Sequence, residues 1–202
     1  TMMPMAMSAV LLAVWFAWRW IDPEHKGAAP PAYRAHYDVQ TKLWVTFPPA
    51  GELAISPDPA DGDAPRLFVL RPIGRYFDRA MWTLKLGSDR PEHLFAGRLK
   101  GGSVDDGVIG LRDRIVADAK QLWPDSELVA AGEKTDIGLG GRRVIFVIRR
   151  TDSADLPRVL YVALLGRDDE GFVAWSDIAM GHPARSDVRA VMESLLFREP
   201  PE

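Results

Sequence analysis

The chain has 202 residues, of which 47% are hydrophobic, and its 25 Lys plus Arg against 28 Asp plus Glu leave a formal net charge of −3. This is ordinary globular composition, which excludes a disordered chain and a nucleic-acid binder working through clustered positive charge. The absence of cysteine excludes disulfides, thiolate nucleophiles and thiolate metal sites together.

Residues 1–18 carry no charge. A helix over 2–21 would be roughly 30 Å long, about the thickness of a bilayer's hydrocarbon core, and it would be apolar all round. A cleaved signal peptide would have basic residues before such a run and small residues after it, whereas Trp18-Arg19-Trp20 follows here. The reading is a transmembrane anchor over 1–21, with Trp15, Trp18, Arg19 and Trp20 at the membrane interface, where indole rings keep an N–H near water. Ala6, Ala9, Ala13 and Ala17 recur at spacings of three and four. They form a smooth stripe that would let a neighbouring membrane helix approach closely, and equally fit lipid-facing positions. Arg19, Lys26 and Arg34 follow the span with no basic residue before it, which by the positive-inside count places the domain in the cytoplasm. The first residue is Thr, consistent with loss of an initiator Met or with a longer precursor.

Residues 22–40 read as a Pro-rich tether with little helix or strand character. Its Tyr33, His36 and Tyr37 fit contact with a partner or membrane, or packing back on the chain's own domain. A soluble domain is predicted over 41–202, opening with β-rich runs at 43–47, 53–56, 67–70 and 81–86, with a loop over 57–65. Ser88-Asp89-Arg90-Pro91-Glu92 predicts entry to a short helix reaching about Leu99, since proline is tolerated in a first turn and acids favour a helix N-terminus. Ser103-Val104-Asp105-Asp106 has the form of a capping box. Val108, Leu111, Ile115, Ala119 and Leu122 follow at helical spacing, predicting a helix that stops at Pro124. Strands are predicted at 127–131 and 142–150 (RRVIFVIRR), then a hairpin of 158–165 and 172–179 around an acidic turn, and a closing helix over 186–197. Short connections require antiparallel pairing, so the fold class expected is α+β, one antiparallel sheet covered by helices.

Chemistry is sparse. His25, His36, His93 and His182 lie on separate segments without metal-ligand spacing. Gly138-Leu139-Gly140-Gly141 reads as a tight turn, because a strand rather than a helix follows it. Asp105-Asp106 suits a helix start, and Asp168-Asp169-Glu170 a solvated turn. No catalytic residue, metal site or cofactor is expected. The remaining feature is the basic, aromatic run RPIGRYFDRAMWTLK, in which Arg71, Arg75, Arg79 and Lys85 surround Trp82. It fits docking on an acidic partner face or anionic headgroups, and also an ordinary solvated face.

The element order, with Leu53-Ala54-Ile55-Ser56-Pro57 after an early aromatic strand, the helix over 105–123, Leu139-Gly140-Gly141-Arg142-Arg143-Val144 entering a strand, the hairpin and the last helix, resembles the PsbP-like superfamily over roughly 43–197. The stretch 74–100 is long for that pattern. The resemblance implies an α/β/α sandwich, an extracytoplasmic domain, and no catalytic residue. The function expected from it is that of a non-enzymatic single-pass accessory or assembly subunit of a larger membrane complex, photosynthetic or respiratory, whose partners are integral membrane subunits and the bilayer. The alternatives are a membrane-tethered module binding a small ligand or lipid, and an enzyme of unrecognised type.

Overall fold

Alternation of side chains builds most of this domain. In LWVTF, Leu43, Val45 and Phe47 are buried while Trp44 and Thr46 are half-exposed, so one face of the strand meets a core. The computed structural model describes residues 33–55, 71–87, 91–152 and 154–200. Strand β2 (Leu43–Phe47) pairs with β1 (Arg34–Asp38) on one side and β11 (Leu196–Phe197) on the other, making a three-stranded sheet. A larger sheet of eight strands runs in the order β3 (Glu52–Ile55), β4 (Phe77–Leu86), β5 (Glu92–Leu99), β10 (Glu170–Ala179), β9 (Pro157–Arg167), β8 (Arg142–Thr151) and β6 (Glu127–Ala130). Its eighth strand, β7 (Thr135–Asp136), also pairs with β8. Every pairing is antiparallel. The described helices are α1 (Arg71–Gly74), one turn long, α2 (Gly107–Leu122) and α3 (Arg185–Ser194).

The central strands of the large sheet, β9 and β10, are buried on both faces, which turns them into continuous apolar runs. In β9, Leu160, Val162 and Leu164 share a core with Leu111, Ile115 and Ala119 of α2. Tyr161, Ala163 and Leu165 share the opposite core with α3 and the small sheet. Each fully buried aliphatic side chain contributes roughly 1.5–3 kcal/mol, so these two cores dominate stability. Gly97 of β5 permits a close crossing there, because a Cβ would lie 2.1 Å from the Phe77 ring and 2.6 Å from the Arg79 carbonyl oxygen. That contact coincides with the irregular register of β4 between Phe77 and Trp82.

Several sequence expectations are corrected. The domain is a mostly antiparallel β structure of two sheets with few helices, in place of one sheet covered by helices in an α/β/α sandwich. The short helix expected to enter at 88–92 and reach about Leu99 is replaced over Glu92–Leu99 by strand β5, between β4 and β10. Its Leu94 and Ala96 enter one core while Phe95 packs against the other, and burial on both faces hides the two-residue period. Part of the expected tether is strand β1, where Tyr37 packs on Trp44 with ring centroids 6.2 Å apart. The helix over 107–122 starts without its capping box: Asp106 makes no side-chain cap bond and is paired with Arg114. The last helix ends at Ser194 because 196–197 join the small sheet. No described helix is long and apolar enough to cross a membrane. The anchor, with Ala6, Ala9, Ala13, Ala17, Trp15, Trp18, Arg19 and Trp20, lies outside the described residues, as does the strand expected at 67–70.

Candidate functional site

Beyond α3 the large sheet continues uncovered, and a groove of about 610 Å³ opens there. Its floor is the outward face of β8, Ile145 and Val147, with Tyr161 of β9 beside them. One wall is α3, which presents Arg185, Arg189 and Glu193. The other is β6, through Val129, and the connection that follows it, through Glu133. That wall is held close to β8 by Gly132, whose φ of +67° belongs to the left-handed region and whose Cβ, if present, would lie 1.8 Å from the Ile145 carbonyl oxygen. Arg112 of α2 anchors the same wall from behind, its Nη1 donating to the Ala131 carbonyl at 3.0 Å.

Arg143 fixes the end of the groove. Its Nη1 shares its two hydrogens among the carbonyls of Met192 and Leu195, at 3.2 and 2.9 Å, and that of Glu193, placing a cation on the C-terminal end of α3. Burial holds this guanidinium below its ordinary pKa, against a smaller opposing pull from Glu193. Arg185 donates from Nε to the Tyr161 hydroxyl at 3.1 Å and from Nη1 to the Met180 carbonyl at 2.6 Å. Arg189 donates from Nε to Glu193 at 2.8 Å, a pairing that holds its guanidinium above the ordinary value. Nη2 of Arg185 and both Nη atoms of Arg189 have no acceptor among the described residues. Three guanidinium groups against two carboxylates, over an apolar floor, make a place to hold an anionic group. Arginine donates and does not exchange protons at neutral pH, so these three groups suit holding an anion.

A second polar cluster is internal. Asp177 of β10 accepts from Arg150 of β8 and from Nε of Arg158 of β9, the latter at 3.2 Å, and Trp123 lies under the Arg150 guanidinium at 4.6 Å. Arg150 Nε and Asp177 Oδ1 are buried without a partner among the described residues. His182 accepts at Nδ1 from the Ala184 N–H, which places its proton on Nε2, 3.7 Å from Glu92. No group of three or more metal-ligating side chains occurs among the described residues.

The basic, aromatic run does not assemble as one surface. Trp82 is 1% exposed and belongs to the core, because strand alternation turns it inward and Lys85 outward. Arg75 is paired with Asp118 of α2 at 3.0 Å, Tyr76 donates to the same carboxylate at 3.1 Å, and Lys85 is paired with Glu52 at 3.0 Å. Arg71 is exposed on α1 and Arg79 is half-buried on β4. Sequence reasoning missed the groove. Its one local signal is Arg185 and Arg189, four residues apart on the polar face of the last helix; Arg143 arrives from 42 residues away through sheet topology.

No family model matches the chain, and no curated protein matches it. Among solved structures, the solution structure of cyanobacterial PsbP (CyanoP) from Synechocystis sp. PCC 6803 is similar in fold, with a TM-score of 0.55 at 13% identity, covering 85% of this chain and 96% of that one. A protein of unknown function from Pseudomonas aeruginosa, titled a putative regulator, matches with a TM-score of 0.45 at 11% identity over 83% of this chain and 99% of its own. The first likeness is a distant one of fold.

Proposed function

We propose that this chain is a non-enzymatic accessory subunit of a larger membrane-associated complex, a PsbP-like domain that docks on partner subunits through the groove beside α3. The observation that carries this reading is the guanidinium edge of Arg185 and Arg189, aimed over an apolar floor with N–H groups that have no acceptor among the described residues. Donors of this kind, beside apolar surface, are what an interface with an acidic partner uses. The fold likeness to CyanoP supports a PsbP-like placement. The uncharged run 1–18 supports a position at a membrane.

A small anionic ligand in the same groove is the second reading, favoured by a volume of about 610 Å³, within the usual range for small-molecule sites. Native size separates the two. The full chain, extracted gently from its own membranes, is expected to run in an assembly well above its 22.4 kDa. A chain that runs alone in its detergent micelle would end the accessory reading.

A further inference from the structure

Strand β6 ends the large sheet, and among the described residues nothing pairs with its outer side. Edge strands left open in this way are templates for another chain, and proteins commonly guard them with charge. At β6 all four residues are exposed, and Leu128 and Val129 are 37% and 47% exposed.

Clefts flank this edge on both faces of the sheet. Leu128 pairs with Ile148, and the two line a cleft of about 570 Å³ with Val116 and Ala117 of α2. Two residues on, Ala130 pairs with Val147 and lines the arginine groove. A register irregularity at Val129 separates the two positions, and Val129 itself lies on the groove side. An extended chain laid along β6 would send its successive side chains alternately into an apolar cleft and toward three arginines.

We propose that β6 is a receptor strand for an extended peptide whose side chains alternate between acidic and apolar, with main-chain hydrogen bonds to the open edge. Carboxylates enter the groove beside Arg185 and Arg189, and apolar side chains enter the cleft beside α2. The inference rests on the accessory reading and names the chemistry of the partner segment. The charge pattern decides the acidic face: the groove sets Arg143, Arg185 and Arg189 against Glu133 and Glu193. The cleft beside α2 has Val116, Ala117, Leu128 and Ile148 as its apolar lining, with Asp113, Glu127 and Lys120 around it.

The test is fluorescence anisotropy with the purified full chain in detergent and three labelled peptides: Val-Glu-Val-Glu-Val-Glu, its Val-Lys counterpart, and the block peptide Val-Val-Val-Glu-Glu-Glu. The alternating acidic peptide is expected to saturate with a Kd of about 100 μM or tighter, and the other two to bind at least about tenfold more weakly. Leu128→Lys, which places a charge on the exposed edge, and the pair Arg185→Glu with Arg189→Glu should each weaken binding by about tenfold or more. A cooperative melting transition kept well above the assay temperature in each variant assigns the losses to the site. Equal binding of the block peptide, unchanged affinity in the variants, or no binding at millimolar peptide would overturn the proposal. Should the native assembly persist while the peptide fails, edge pairing alone is retired. A chain isolated as a monomer retires the accessory reading itself.

Discussion

A carboxylate held between two guanidinium groups ties β8, β9 and β10 together beside the β8–β9 turn. Asp177 accepts from Arg150 and Arg158, and both members of the Arg150–Asp177 pair are at most 15% exposed. Removing the acid would leave two cations with little water and no counter-charge, so Asp177→Ala is expected to cost about 3 kcal/mol in chemical denaturation. A loss under 1 kcal/mol would mean that water already solvates the pair. At the neighbouring turn, Asp152 accepts from the backbone N–H groups of Leu156 and Ala154, both at 2.9 Å, and these bonds hold its carboxyl below the usual aspartate range. A depressed folded pKa gives stability that is present above the unfolded value of about 3.9 and lost as pH falls through the folded one. The melting-temperature difference between the parent chain and Asp152→Ala should therefore be full at pH 6 and vanish in the acid range below the ordinary aspartate value. A difference independent of pH would contradict this. Trp82 carries the contrasting lesson, since neighbouring arginines in sequence suggested a surface and alternation buried it.

Among elements, legibility followed the number of buried faces. Strand β2 and helix α2 each bury one face, so period two and spacings of three and four were readable, and the residues Val108, Leu111, Ile115 and Ala119 are the buried ones. Strand β5 buries both faces, and its opening acids and proline imitate a helix start, so local rules assigned the wrong element. Hydrogen exchange distinguishes the two assignments. Amides of Phe95–Arg98, paired with both β4 and β10, should exchange as slowly as those of β9, whereas β6, at the edge, should exchange far faster. Rapid exchange throughout β5 would contradict its central place. The groove was illegible for another reason. Arg143 meets α3 only because β8 lies one strand beyond β9, a consequence of strand order that no local pattern encodes.

At the scale of the molecule, the sheet is wider than the helix that covers one of its faces, and the strip left over holds the groove and the open edge of β6. Sequence reading offered the alanine stripe 6–17 and the run 71–85 for partner contacts, the run fitting a solvated face as well, and its cations Arg75 and Lys85 are paired within the domain. Retention in the native assembly decides between these surfaces. Full-length Arg185→Glu with Arg189→Glu should leave the assembly while keeping a cooperative melting transition, lowered only by the lost bonds of Arg185 to Tyr161 and Met180, and Arg71→Glu, on exposed α1, should remain in it. A double variant retained as fully as the parent chain would contradict docking through the groove.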